Sequence, residues 1–184
     1  MFHLCIKWVS LFILISIFAI SCSNNQNGVF VTFDDEKSNA IRAHYQNYLN
    51  NDIDGLKSLW SPDLKIYMNS VNASGVDEIS ALITAQHENF DNISMSFQDD
   101  GATEDLGVWA QSIVYPPMNG SPEMTITQTW FNWSATGKAS GNTIEIPVHI
   151  SFEWSDGKIV REWHNFDTTE MMAELELAAS QSSE

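Results

Sequence analysis

The sequence predicts an α+β fold in which about three to four helices pack on one face of a curved antiparallel sheet. Two observations carry this prediction. Apolar residues recur at helical spacing up to Phe90, whereas beyond Asn92 they alternate with polar residues as in strands. A run of helices followed by a run of strands is typical of an α+β domain, and 184 residues suffice for one such domain.

The first half of the chain carries three helical patterns. Between Asp34 and Asn50, the apolar residues fall at positions i, i+4, i+7 and i+8 and so form one face of a helix: Ile41, Tyr45, Tyr48 and Leu49. A second, shorter helix begins near Ile53 and ends before Pro62. A third helix is predicted over residues 76–90.

Alternation of apolar and polar residues predicts six strands. One lies at 64–69, between the second and third helices. Five more follow, separated by turn-rich segments: 93–97, 108–115, 124–134, 143–154 and 158–166. A last helix is predicted from Thr168 to about Ala179.

The first 21 residues have the pattern of a signal peptide. Lys7 precedes an apolar run from Trp8 to Ile20, which is shorter than the roughly 20 residues that a membrane span requires. The run ends in Ala-Ile-Ser-Cys and then turns polar, which resembles a bacterial lipoprotein cleavage box. The resemblance implies that Cys22 becomes the lipidated first residue of the mature chain. The alternative is an ordinary secretory signal with a chance cysteine.

The predicted organisation is a signal peptide (1–21), a flexible tether (22–33), one domain (34–179) and a short tail (180–184). Since Cys5 lies inside the signal, the folded domain has no cysteine for a disulfide or a zinc site. We therefore expect the protein at the cell envelope, held to the membrane through the lipid anchor only and facing the periplasm or the cell exterior.

Acidic residues dominate the composition. Asp and Glu number 24 against 8 Lys and Arg, and the net charge of −16 becomes −17 when Lys7 is removed with the signal. A charge of this size argues against nucleic acid and against anionic lipid as partners. It favours an uncharged or cationic ligand over a phosphate, and we expect no cofactor.

The dipeptide Asp156-Gly157 predicts a two-residue hairpin turn. Continued pairing away from the turn would oppose the following residues: Phe152 and Arg161, Ile150 and Trp163, Val148 and Asn165, Ile146 and Asp167. Opposed residues share a face of the sheet, and the first members are the apolar set of their strand. We therefore expect the second members to point into the core, unless a bulge shifts the register by one and reverses the faces.

The opposite face would then carry polar residues: Glu145, His149, Glu153, Glu162 and His164. The histidine pair with its carboxylates could bind zinc, but a solvated or subunit-contacting face is the expected interpretation, so we predict no metal. Trp130 and Trp133 have opposite parity on one strand, so one of them faces outward. It is a candidate contact for a homodimer formed through the sheet.

Several segments together have the pattern of a known family: 45–52 with Leu56, Leu59 and Trp60; 133–141; 147–149; 156–160; and 163–167. Over roughly 34–177 they resemble the nuclear transport factor 2-like superfamily, in particular its polyketide cyclase-like (SnoaL-like) branch. It implies a cone-shaped α+β barrel that encloses an apolar pocket. Family members include cyclases, isomerases, hydrolases and dehydratases as well as binding modules, so the fold alone does not choose a function.

Asp167 is the candidate catalytic residue, because the resemblance implies that an aspartate at the end of the last strand acts as an acid or base. Asp167-Thr168-Thr169-Glu170 equally reads as a helix N-cap with glutamate at N3. We expect the pocket to be lined by five residues: Tyr45, Trp60, Arg161, Trp163 and Asn165. Two functions remain open: binding of a small hydrophobic molecule or partner, and acid–base catalysis through Asp167.

Overall fold

The computed structural model describes residues 28–98 and 105–182. The predicted signal peptide and Cys22 lie outside these residues. The described part forms seven strands and four helices in this order: β1 Phe30–Thr32, α1 Glu36–Leu49, α2 Ile53–Leu59, β2 Trp60–Met68, α3 Val76–Asn89, β3 Phe90–Ser96, β4 Trp109–Tyr115, β5 Met124–Gly137, β6 Thr143–Ser155, β7 Lys158–Asn165 and α4 Thr169–Gln181. None of the helices in these ranges is long and apolar enough to cross a membrane.

The strands form one sheet in the order β1-β4-β5-β6-β7-β2, and β3 pairs with β5 beside β4. The long strand β5 pairs with β4 through its first half, from Met124 to Trp130, and with β3 through its second half, from Asn132 to Gly137. All neighbours are antiparallel except β2 and β7, so the sheet is mixed. The predicted α+β fold, a curved sheet packed by four helices, is confirmed, but the sheet is not antiparallel throughout as predicted, because β2 pairs in parallel with β7.

Helix α1 is fixed to the sheet at its first turn. The Asp35 carboxylate accepts hydrogen bonds from the backbone N–H groups of Lys37 and Ser38, at 2.8 and 3.1 Å, and so caps the helix. The Ser112 hydroxyl on β4 donates to the same carboxylate at 3.1 Å. The apolar face of α1 therefore enters the core at one defined position, with Ile41 and Tyr45 buried.

The predicted tether is wrong over its last residues, because Phe30–Thr32 forms strand β1. This strand pairs with β4, where Phe30 lies opposite Val114 and Thr32 opposite Ser112. β1 lies at an edge of the sheet, and Phe30 remains 52% exposed. A short edge strand that buries little surface gives no amphipathic signal, so its sequence resembles a loop.

The hairpin turn at Asp156-Gly157 is confirmed, but the register beyond it is not as predicted. Both turn residues have positive φ, 50° and 73°, as a tight hairpin turn requires. Trp154 pairs with Ile159 as predicted, but Glu153 then pairs with Arg161, so Val160 is an extra residue on β7. This bulge moves every later residue of β7 to the opposite face.

The bulge reverses the predicted faces of β7. Glu162 and His164 are buried, opposite Phe152 and Ile150. Three predicted pocket residues instead lie on the outer face: Arg161, Trp163 and Asn165. The Arg161 guanidinium contacts Glu153 at 2.7 Å, and the Trp163 ring stacks on Tyr67 of β2 with ring centroids 6.3 Å apart. Asn165 is exposed.

The inward orientation predicted for Asp167 is also wrong. Its side chain is exposed, and its Oδ1 accepts hydrogen bonds from the backbone N–H and the hydroxyl of Thr169, at 2.9 and 2.6 Å. These bonds, of which the hydroxyl bond is the larger influence, lower the pKa of the Asp167 carboxyl. The residue precedes the N-cap Thr168 and orders the start of α4, which is close to the capping interpretation.

Candidate functional site

A cavity of about 90 Å³ lies between the concave face of the sheet and the helices. Its wall is mostly aliphatic and aromatic, and these residues line it: His44, Tyr45, Tyr48, Leu56, Trp60, Met68, Ile79, Leu82, Ile83, Gln86, Met95, Phe131, Trp133, Ile146, Val148, Ile150, Phe152, Glu162, His164, Phe166 and Met171. Tyr45 and Trp60 are there as predicted. Neither Asp167 nor the three outward-facing residues of β7 contribute to it.

A buried polar cluster interrupts this apolar wall. The Trp60 indole N–H donates to Oε1 of Glu162 at 2.7 Å, and Nε2 of His164 lies 2.7 Å from Oε2 of the same carboxyl group. The Glu162 and His164 side chains are 3% and 11% exposed. Both carboxyl oxygens therefore have a partner, which is the condition for placing such a group in an apolar interior.

His44 of α1 completes the cluster. Its ring packs edge-on against Trp60, with centroids 5.4 Å apart. Burial lowers the pKa of His44 to about 4, a shift that the nearby Glu162 charge opposes and His164 reinforces. His44 is therefore a neutral imidazole at neutral pH. Within the described residues, its buried Nδ1 atom has no hydrogen-bond partner.

The remaining polar groups of the wall bond to one another and hold it in place. The Trp133 indole N–H donates to the Tyr48 hydroxyl at 2.8 Å, and that hydroxyl donates to Gln86 at 3.1 Å. The Tyr45 hydroxyl lies 2.8 Å from that of Thr129. Burial raises the pKa of both tyrosines, so both stay neutral phenols. These bonds join α1, α3 and β5 around the cavity.

A second, open groove lies on the outer face of the sheet. Trp130 and His149 pack in it with ring centroids 4.8 Å apart, and Asn165 lies opposite His149. The predicted pairing of His149 with His164 is therefore wrong, because the bulge puts them on opposite faces. Among the residues that the structure describes, no three His, Cys, Asp or Glu side chains are arranged to hold a metal ion.

Three residues of the buried polar cluster are not predicted from the sequence: His44, Glu162 and His164. The sequence places Glu162 and His164 on the outer face, because the bulge at Val160 has no sequence signature comparable to that of the turn. For His44 a signal was present: it lies three residues after Ile41 and four before Tyr48, on the apolar face of α1. A histidine on that face points toward the sheet.

The chain belongs to the SnoaL-like domain family, whose family model matches residues 41–162. No curated protein matches the chain.

Several solved structures share its fold. An NTF2-like protein of unknown function from Burkholderia pseudomallei K96243 is 13% identical, covering 77% of this chain and 98% of its own, with a TM-score of 0.53. AclR from Streptomyces galilaeus is 14% identical, covering 76% and 95%, with a TM-score of 0.55. A protein with a ketosteroid isomerase-like fold from Catenulispora acidiphila DSM 44928, solved in complex with trimethylamine, is 10% identical, covering 73% and 90%, with a TM-score of 0.50.

Proposed function

We propose that this SnoaL-like domain, tethered at the cell envelope through Cys22, binds a small and mainly apolar molecule in its cavity. The observation that carries the proposal is the buried Nδ1 atom of His44, which has no partner among the described residues and belongs to a cavity-lining side chain. Buried polar atoms are nearly always hydrogen-bonded. A ligand with one polar atom would supply the partner, and its apolar remainder would contact the wall.

The volume of the cavity limits the size of this ligand. An apolar cavity of about 150 Å³ in another protein holds benzene, so 90 Å³ admits a ligand of roughly four or five non-hydrogen atoms without movement of the wall. A polycyclic substrate would require the wall to open. Trimethylamine, which the Catenulispora acidiphila protein holds, is of the admitted size, although at 10% identity the similarity extends to the fold alone.

Acid–base catalysis is the second candidate function, and the Glu162–His164 pair favours it. A carboxyl group and an imidazole 2.7 Å apart, both shielded from water and both lining a cavity, can hold and pass a proton to a bound molecule. In this version the proton-transfer groups are Glu162 and His164 rather than Asp167, whose exposed carboxylate is bonded to Thr169.

Filling the cavity tests the binding proposal. Leu82→Trp places an indole at a half-buried position of the wall, whereas Leu177→Trp adds the same side chain at an exposed position of α4 that does not line the cavity. Two probes, tert-butyl alcohol and trimethylammonium, are titrated into each protein by calorimetry, and we expect at least one of them to bind the wild-type protein. The affinity of Leu82→Trp for that probe should be about tenfold or more lower, and the affinity of Leu177→Trp should equal that of the wild type. Equal binding to all three proteins would contradict the proposal.

A further inference from the structure

The cavity wall contains one acidic side chain, Glu162, and neither lysine nor arginine. His44 is neutral at neutral pH, because burial lowers its pKa to about 4. An anionic ligand would therefore lie beside the Glu162 carboxyl group with no permanently charged cation to offset it, which disfavours carboxylates and phosphates.

Aromatic rings form a third of the lining. Seven of the 21 residues are Phe, Tyr or Trp. Two of them lie next to His44: Tyr45 follows it in α1, and Trp60, the first residue of β2, packs against its ring. The faces of such rings attract cations, and Trp attracts them best. The attraction is strongest where water is excluded. The Trp60 indole lies in such a place, because its N–H group donates to the buried Glu162 carboxyl group.

The unpartnered Nδ1 atom of His44 favours a ligand that can donate a hydrogen bond to it. A neutral imidazole has one N–H donor and one acceptor nitrogen. When the proton is on Nε2, the unpartnered Nδ1 accepts a hydrogen bond. A ligand that carries both a positive charge and one N–H group would satisfy the ring, the carboxylate and the aromatic wall together.

We propose that the ligand of this cavity is a small protonated amine with methyl-sized substituents. The inference rests on the proposed function and gives the class of molecule that this site takes. The charge lies near Glu162, the N–H group is directed to His44, and the methyl groups contact the aromatic wall. The strongly acidic surface, with a net charge of −16, attracts such a cation toward the protein.

Three probes of nearly equal size test the inference on the full-length protein in detergent. Trimethylammonium has the charge and the N–H group, tetramethylammonium has the charge alone, and tert-butyl alcohol has the shape without the charge. We expect trimethylammonium to bind about tenfold or more tightly than tert-butyl alcohol, with tetramethylammonium between them. If the alcohol binds as tightly as the cations, the amine inference is overturned and the proposed binding function stands. If none of the probes binds, both are overturned.

Two carboxylate variants test whether Glu162 causes the preference for the cation over the alcohol. Glu162→Gln removes the buried charge and keeps an oxygen for the Trp60 indole, whereas Glu153→Gln removes a charge from the outer face. The preference for trimethylammonium over tert-butyl alcohol should disappear in Glu162→Gln and persist in Glu153→Gln. A folded Glu162→Gln protein that keeps the preference overturns the assignment of the cation to this carboxylate. If that variant does not fold, the comparison of the three probes on the wild-type protein decides the question.

Discussion

At the scale of single residues, Glu162 and Asp167 lie in the opposite environments to those that the sequence predicts: Glu162 is buried beside the cavity and Asp167 is exposed. Asp167 ends the last strand region and matches the position of a catalytic aspartate in the family resemblance, yet its carboxylate is exposed and holds the first turn of α4. Glu162 looks like a solvated charge in the sequence, yet it is 2% exposed beside the cavity. A charged residue type says little about exposure when one bulge decides the face on which it lies.

If the protein catalyses a reaction, replacing each of the two carboxylates by its amide should affect the rate differently. Glu162→Gln should lower the rate about 100-fold or more, because an amide cannot exchange a proton as a carboxyl group does. Asp167→Asn should keep the rate, because asparagine still accepts the hydrogen bonds from Thr169. The measurement is a rate assay on both variants, with folding checked by circular dichroism. Loss of activity in Asp167→Asn alone would restore the catalytic role of Asp167.

At the scale of secondary-structure elements, the sequence predicts most of the fold. The helices α1, α3 and α4 begin and end within about two residues of the predicted positions, because each buries one apolar face at helical spacing. The hairpin turn was also predictable, since Asp-Gly is favoured where two consecutive residues need positive φ. The short edge strand β1 was not, because it buries too little surface to leave a pattern.

The bulge at Val160 explains why the candidate site was predicted only in part. Tyr45 and Trp60 precede the sheet hairpin in the chain, so their placement does not depend on its register. Every β7 residue after Val160 does depend on it, and a single extra residue exchanges the two faces. The alternation of apolar residues on β6 fixes the inner face of that strand, but it does not reveal how many residues of β7 lie opposite them.

Helix α4 is held against the cavity by a contact of Glu174 that no sequence pattern predicts. The Glu174 carboxylate accepts hydrogen bonds from the backbone N–H groups of Ala139 and Ser140, at 2.7 and 3.2 Å. Gly137 leaves room for this carboxylate, since a Cβ atom there would displace the Glu174 side chain. The contact anchors α4 to the β5–β6 loop and thereby holds Met171 in the cavity wall.

At the scale of the whole molecule, β1 brings the folded domain close to the proposed anchor. The strand begins at Phe30, so seven residues, 23–29, separate Cys22, the proposed lipidation site, from the sheet. The eight Cα–Cα steps from Cys22 to Phe30 span at most about 30 Å when fully extended. An anchored domain would therefore stay within about one domain diameter, roughly 30 Å, of the membrane.

The proposed anchor is tested by removing the Cys22 thiol that would carry the lipid. Cys22→Ser should release the protein from the membrane fraction of the bacterium that expresses it, because serine cannot take the thioether-linked lipid. The measurement is fractionation followed by immunoblotting. The matched control, Ser23→Ala, leaves the cysteine in place and should remain in the membrane fraction. A Cys22→Ser protein that stays membrane-bound in its cleaved form would contradict the anchor.

Side-chain NMR of the histidines tests whether ligands enter the cavity beside His44, Glu162 and His164. His44 and His164 line the cavity, whereas His149 lies in the outer groove and His87 bonds to the Tyr48 carbonyl, so each serves as an internal control. We predict that His44 stays neutral until the pH approaches about 4. Addition of the tighter-binding probe, trimethylammonium or tert-butyl alcohol, should shift the ¹⁵N resonances of His44 and His164 and leave the other two unchanged. Titration of His44 near its ordinary value of about 6.5, or a ligand shift at His149 with none at the cavity pair, would contradict the account.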